Sequence, residues 1–421
     1  MQKKLLMRGP LLSRSGYGEQ SRFALRALKS HRDLFDVYII NTPWGSTKNI
    51  AESSPERVEI EFLLQKTHQF MQQGGQFDAS LQITVPNQFE RLTPVNIGYT
   101  AGIETTKVAP EWIGKVNETM ERVIVVSNHA KTVFENTVYE AKNEETGEVI
   151  KDWKVKVPID VVNYCVRGIE PPEPLDVEFT TSKNFLVMSQ WAPRKNVEQT
   201  LMWFVETFKD DPDVGLVLKT NTAADCIMDR EFTTNRINHV LDNMGITDRK
   251  CKIYFLHGEL TPNHLSWLYT HPTMQALINI GHGEGWGLPL FEAACNGLPL
   301  LTVTWSGQMD FICKPNKKGK DVPRVIKVDY DLAEIQPYAR VPQMLVEGSQ
   351  WAYAKEASYK RALREAIEKQ GHYRNESQAL QKYILEKFTP EKMYKQFADS
   401  VLEACGGVSA PAVDDNTVLE F

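Results

Sequence analysis

The stretch that most constrains this 421-residue sequence is Gly281-His-Gly-Glu-Gly-Trp-Gly-Leu-Pro-Leu-Phe-Glu292. It follows an apolar run, Ala276-Leu277-Ile278-Asn279-Ile280, with the length of a buried strand, and leads into Ala293-Ala294-Cys295-Asn296-Gly297-Leu298-Pro299, which reads as a helix and its stop. Four glycines in seven residues between strand and helix require a turn in which backbone comes close to another group. Pro289 suits a first helical turn, where a missing N–H is no loss, and Gly297 with Pro299 suits the helix end. The turn therefore holds Glu284, and Glu292 sits about one turn into the helix. Two carboxylates that can accept hydroxyl protons lie beside the free N–H groups and positive dipole end of a helix start. A phosphorylated sugar needs both kinds of contact, although an α/β protein that uses such a loop only for packing would carry the same glycines.

Strand and helix patterns alternate along the rest of the chain. Lys4–Met7, Val37–Ile40, Leu81–Val85 and Arg122–Ser127 read as strands, and helices are expected over about 55–73 and over His129–Asn136, capped by Ser127 or Asn128. In the second half Asn184–Met188, Val214–Thr220, Lys252–Gly258 and Leu300–Thr304 read as strands, with helices over 197–207, 263–269, 352–369, 376–386 and 390–402. This alternation implies parallel sheets covered on both faces. Glu170-Pro-Pro-Glu-Pro174 can join neither element and marks a domain boundary. The expected organisation is two doubly wound, Rossmann-like domains over 1–172 and 173–387, then a helix over 388–405 and a loose tail over 406–421. Glu144-Glu-Thr-Gly147 reads as part of an exposed hairpin.

Three other stretches bear on the chemistry. Gly16-Tyr-Gly18 follows the first strand and can lay backbone N–H groups against a diphosphate, though a plain turn has the same pattern. Asn96–Trp112 holds Tyr99, Glu104, Thr105 and Lys107 past a strand end, where ligands of open α/β sheets bind. Arg194-Lys195 ends the first strand of the second half, well placed to neutralise a leaving diphosphate. His257 reads as structural.

A net charge of −6 provides no bulk attraction for a polyanion, so a nucleic-acid partner would need a local basic groove. The cluster Lys314–Lys320 reads as a solvated loop. Six scattered cysteines without a C-x-x-C pair indicate reduced thiols, not a disulfide frame or zinc site. Asp211-Pro-Asp213 and Asp329-Tyr-Asp331 read as turns and not as ligands for a hard cation. No window approaches the ~20 apolar residues of a membrane span, and the start does not read as a signal peptide, so a cytoplasmic enzyme is expected.

Glu284 and Glu292, separated by seven residues with Gly-Trp-Gly-Leu-Pro among them, resemble the Glu-x7-Glu signature of family-4 retaining glycosyltransferases. The segment Tyr99…Glu104-Thr105 is similar to one found in some members, including proteins encoded by tailed phages. The resemblance covers most of residues 1–402 and implies a GT-B fold: two Rossmann-like domains facing across a cleft, with the last helix crossing back onto the first. It implies a nucleotide-diphosphate sugar as donor, a UDP-sugar by expectation, with no prosthetic group and no required metal. Glu292 would bind ribose hydroxyls and Glu284 sugar hydroxyls, with the backbone of Gly285, Trp286, Gly287 and Leu288 near sugar and phosphate, and Gly16 and Gly18 facing the phosphates. Lys195, on the family lysine, would stabilise the departing diphosphate. Gln190 occupies the family arginine position, and Arg194 is the candidate to replace it. Tyr99, Glu104, Thr105 and Lys107 would line the acceptor side, with Glu104 nearest the attacking hydroxyl. The acceptor would be a glycan or, on the phage resemblance, a hydroxymethylated base in DNA, which places the enzyme in a host cytoplasm if it is phage-encoded. A non-catalytic sugar-nucleotide or glycan-binding module, and a glycoside hydrolase using the paired carboxylates, are the alternatives.

Overall fold

The computed structural model describes residues 2–45, 47–51, 53–142 and 149–406. Residues 407–421 of the expected tail and the stretch Glu144–Gly147, expected in a hairpin, lie outside the described residues. The first sheet contains β1 (Lys3–Gly9), β2 (Phe35–Asn41), β3 (Ala79–Ile83), β4 (Val95–Thr100), β5 (Arg122–Val125) and β6 (Ile159–Val161), in the order β2-β1-β3-β4-β5-β6. The second contains β7 (Lys183–Met188), β8 (Val214–Lys219), β9 (Lys252–Leu256), β10 (Met274–Asn279), β11 (Leu300–Val303) and β12 (Ile326–Val328), in the order β9-β8-β7-β10-β11-β12. Every pairing in both sheets is parallel. Parallel strands are covered on both faces, which is why β3 and β5 are buried throughout, the polar Ser80, Gln82 and Arg122 included.

The helices of the first half are α1 (Gly16–Lys29), α2 (Pro55–Gln72), α3 (Pro110–Thr119) and α4 (Asn128–Asn136). The second half contributes α5 (Val197–Phe208), α6 (Ile227–Asn243), α7 (Pro262–Thr270) and α8 (Leu288–Cys295), then α9 (Glu356–Glu368), α10 (Gln370–Lys387) and α11 (Pro390–Ala404). Ser15, Ser54, Ser127, Thr261 and Thr389 each accept a backbone N–H at the start of α1, α2, α4, α7 and α11, satisfying donors that have no partner within the helix. The chain ends by crossing back: Phe397 of α11 packs against Phe23 of α1 at 5.7 Å and Tyr99 of β4 at 5.0 Å between ring centroids. One core cluster takes in Phe23 and Tyr99 from the first half and Trp286, Phe291, Phe388 and Phe397 from the second.

In each sheet the chain winds outward in one direction, returns, and winds outward in the other. In the second sheet the reversal lies between β7 and β10. Loops leaving the carboxyl ends of strands on either side of such a reversal diverge and open a crevice. Those two loops carry Arg194-Lys195 and Gly281–Gly287.

Several elements depart from the sequence expectations: the stretch 96–112, read as a loop past a strand end, begins within β4 (Val95–Thr100) and ends within α3 (Pro110–Thr119). Helix α6 was not anticipated, because its apolar residues are few on the inner side and its first two turns leave Ile227, Met228 and Phe232 exposed. The helix expected from 352 begins at Glu356, and Gln350–Ala354 is instead a strand, β14, paired antiparallel with β13 (Tyr330–Glu334). Among the described residues no helix is long and apolar enough to cross a membrane.

Candidate active site at the crevice

The turn after β7 is wound tightly: Lys195 N donates to Ala192 O (3.0 Å), and Asn196 takes the left-handed conformation (φ 53°). Asn196 Nδ2 donates to Ile280 O (3.3 Å), which ties this turn to the glycine-rich loop. Lys195 Nζ therefore reaches Glu284 Oε1 at 2.6 Å, and Asn279 Nδ2 donates to the same oxygen at 3.1 Å. Arg194 Nη1 donates to Gly283 O (2.6 Å) and stands 3.3 Å from Glu284 Oε2. Its Nε is 2.7 Å from Glu104 Oε2, on the loop after β4. Two cations and two carboxylates, one of them from the opposite domain, thus form a charge-balanced chain in which Glu284 is buried and Arg194, Lys195 and Glu104 are partly exposed, so the buried carboxylate is paired.

Burial alone would raise the Glu284 carboxyl, yet Lys195 and Arg194 hold it down at about 2. Glu104 is shifted the other way: burial raises it, Arg194 opposes, and the like charge of Glu284 adds to the rise. Burial and the neighbouring Arg194 lower Lys195, while Glu104 and Glu284 keep Arg194 firmly protonated against its own burial.

Ser306 supports Glu284 from behind. It adopts φ 69°, an unfavourable conformation for a residue with a Cβ, and its Oγ accepts from Glu284 N (2.9 Å) while donating to Gln308 Oε1 (2.8 Å). Gly307 N donates to Glu284 O at 2.8 Å.

Two of the loop glycines also admit the opposite domain. A Cβ on Gly283 would lie 2.2 Å from Glu104 O, and one on Gly285 would lie 1.9 Å from Ala101 O. Close approach at these two positions is made by the backbone of the first domain. The Trp286 ring is buried among Phe291, Phe311 and Phe388, so this residue can meet a donor only through its backbone. Gly287 precedes α8 with φ 92°. On the first loop, Gly18 permits a chain reversal, since a Cβ there would meet Ser13 O at 1.8 Å, whereas Gly16 has open space around it. Tyr17 accepts from Gly102 N (3.1 Å), shares a hydrogen bond with Thr100 Oγ1 (2.9 Å) and stacks on Trp44, so it anchors the loop that carries Glu104.

Glu292 lies apart from this chain of charges, on a cavity of about 190 Å³ between the domains. Tyr269, Leu288 and Asn296 line it from the second domain, and Glu19, Arg26 and Arg167 from the first. The Tyr269 hydroxyl donates to Glu292 Oε2 at 3.2 Å, and burial raises the Glu292 carboxyl against the pull of Arg167.

On the acceptor side the placements differ residue by residue. Tyr99 has no exposed surface and its ring is a core ring, so it does not line the cleft. Thr105 is buried, its hydroxyl donating locally to Lys107 O (2.7 Å), and Lys107 is exposed. Gln190 Nε2 donates to Thr222 O (2.9 Å), and Arg194 holds the second cationic place beside Glu284. Asp211 Oδ1 accepts from Asp213 N in a turn, while Asp329 pairs with Arg361 and Asp331 with Lys355. Among the described residues no group of three or more His, Cys, Asp or Glu could hold a metal ion. Tyr17, Asn279, His282 and Ser306 were missed by the sequence reading. Only Asn279 carried a signal there, as a polar residue inside an apolar run.

No family model matches this sequence, and no curated protein matches it. Solved structures do. The sucrose-phosphate synthase of Thermosynechococcus elongatus superposes with a TM-score of 0.59 at 13% identity, over 96% of this chain and 99% of that one. Anabaena HepE in complex with UDP and glucose gives 0.55 at 13% identity over 95% and 99%. The lipopolysaccharide outer core galactosyltransferase WaaB gives 0.52 at 12% identity over 96% and 99%. The class is thereby defined at the level of fold: a two-domain GT-B architecture, matched over nearly the whole chain.

Proposed function

We propose that this chain is a retaining glycosyltransferase that moves a hexosyl or pentosyl group from a nucleotide-diphosphate sugar to an acceptor hydroxyl. The observation that carries the reading is the charge-balanced Lys195–Glu284–Arg194–Glu104 chain at the crevice, with Glu284 buried at its centre. Each cation uses only part of its donor set on protein: Lys195 has three N–H donors and Arg194 five, so donors remain for phosphate oxygens. As the anomeric C–O bond breaks, its electron pair goes to the diphosphate, and these cations stabilise the charge already oriented toward it. Glu284, held ionised, accepts from sugar hydroxyls and fixes the donor in the crevice.

In this reading the nucleotide occupies the cavity at Glu292, with ribose hydroxyls donating to that carboxylate. HepE, crystallised with UDP and glucose, supports UDP as the nucleotide. The acceptor hydroxyl attacks from the face the phosphate leaves, the departing phosphate takes its proton, and Glu104 positions it, as the Glu104–Arg194 pair places that carboxylate beside the same crevice. Arg194 and Lys195 fill the role a metal would have, so activity is expected to survive a chelator; a loss restored by magnesium or manganese points to Asp329 and Asp331. The deciding measurement is release of UDP from UDP-hexoses without acceptor, followed by transfer to free and lipid-linked sugars and to duplex DNA with and without hydroxymethylcytosine. Absence of both release and transfer removes the reading. The non-catalytic and hydrolase alternatives predict no donor turnover, and the latter predicts cleavage of a simple glycoside.

A further inference from the structure

Resting on the glycosyl-transfer reading, we propose that the hairpin β13–β14, with its connecting segment 335–349, is the acceptor-recognition element of the cleft, and that it takes a neutral carbohydrate chain. Its root is fastened to both walls of the crevice. Ala352 N donates to His282 O (3.0 Å), His282 Nδ1 donates to Ala352 O (2.9 Å), and the His282 ring stacks on Trp351 at 5.3 Å with planes 18° apart. His282 is two residues from Glu284. On the other side Gln350 N donates to Thr106 Oγ1 (2.9 Å), two residues from Glu104, and Val346 packs against the first-domain cluster that contains Ile103 and Val108. The hairpin therefore bridges the loop that carries Glu284 and the loop that carries Glu104.

The connecting segment is folded, not slack. Ile335, Ala339 and Trp351 form a small buried cluster with Leu345 and Tyr353 against it, and the Tyr353 hydroxyl bonds Gln336 Oε1 at 2.8 Å. Yet the same segment presents Tyr338 (77% exposed), Val341 (44%) and Met344 (37%) to solvent. Apolar groups held outward on a rigid support mark a binding surface, and an aromatic ring offers a flat apolar face to the C–H face of a sugar. Charge selects the occupant. Residues Asp329–Lys355 contain four carboxylates against Arg340 and Lys355. Arg340 is paired with Glu334 (3.2 Å) and Glu347 (3.8 Å), and Lys355 with Asp331 (2.8 Å). Among the described residues Lys107, whose Nζ lies beside Gly348, is the one further cation against the segment, so a polyanion would find few counter-charges here, whereas phosphate-backbone binding depends on them.

The test uses the full chain and the substitutions Tyr338→Ala, at a residue 77% exposed, and Met344→Ser, at one 37% exposed. UDP release from UDP-hexoses without acceptor is expected to stay within about twofold of wild type in both, while KM for neutral trisaccharides rises roughly three- to tenfold for Tyr338→Ala, the loss expected for one aromatic contact. Saturation-transfer NMR with maltotriose and cellotriose reads the same loss as binding, independent of turnover. Unchanged trisaccharide KM and binding alongside normal UDP release overturn the hairpin's role alone, as does transfer only to hydroxymethylcytosine duplex or to no saccharide at all. A wild-type protein that releases no UDP and transfers nothing overturns the glycosyl-transfer reading, and this inference with it.

Discussion

Glu284 and Glu292 are eight positions apart in sequence but lie in different surroundings, and on the proposed function their variants should separate kinetically. Glu284 faces the two cations at the reacting end, so Glu284→Gln is expected to lower kcat by about a hundredfold while leaving nucleotide affinity within a few fold, the pattern of a contact that strengthens as the bond breaks. Glu292→Ala removes a charged hydrogen-bond acceptor that serves ground and transition states alike, and should weaken UDP binding by roughly ten- to a hundredfold with kcat retained. Titration calorimetry with UDP and steady-state kinetics check both. Acid stability gives an independent reading of the same carboxylate. A carboxyl held at about 2 against its ordinary 4.5 adds stability that is fully present above pH 4.5 and lost as pH falls through about 2. Glu104, raised by burial, has the opposite sign, contributing at low pH and losing that contribution as pH rises through its folded value. Glu284→Gln should therefore flatten the decline of Tm between pH 4.5 and 2, and an unchanged slope would show that the carboxylate is not held by the cations.

At the scale of elements, the glycine-rich loop is a seat for another loop. The carbonyls of Ala101 and Glu104 occupy the space that side chains at 285 and 283 would need. Gly285→Ala, with Cβ and carbonyl oxygen 1.9 Å apart, must push the Glu104 loop away, costing about 1–3 kcal/mol and separating Glu104 from Arg194. Transfer is expected to fall at least tenfold, with small-angle scattering showing a larger radius of gyration; a compact, active variant would contradict the seat. The strand–turn–helix around these glycines was legible because local pattern dictates it: an apolar run, a turn that excludes Cβ, Pro289 and Gly297 at the helix ends. What the glycines approach was not legible, since Ala101 lies far away in sequence. The hairpin was hidden for the same reason: β14 pairs with a strand on the far side of the folded segment 335–349, and Trp-Ala-Tyr-Ala read locally as the start of a helix. Tyr99 was assigned to the cleft because it adjoins Glu104 in sequence, but strand alternation turns its ring into the core.

For the whole molecule, the parallel order of both sheets followed from the alternation of strand and helix, and the crevice followed from the reversal in each sheet. The distribution of charge between the walls did not. Arg194 and Lys195 stand on the second domain and Glu104 on the first, so the proposed catalytic set is complete only when the two loops meet. The walls are joined elsewhere as well: Asp310 of the second domain accepts from Asn128 N (2.9 Å) at the start of α4 and from Asn163 Nδ2 (3.0 Å). The return of α11 carries this union further. Phe388 and Phe397 come from the end of the chain, yet Phe397 fills the space between Phe23 and Tyr99 near its beginning. A protease that cuts the exposed prolines at Glu170–Pro174 would thus produce two fragments that cannot part, each holding a piece of the other's interior. The nicked protein should elute as a single species at the intact size in gel filtration and resolve into two bands only in denaturant, so that the covalent link between the halves is dispensable for their association once the chain has folded.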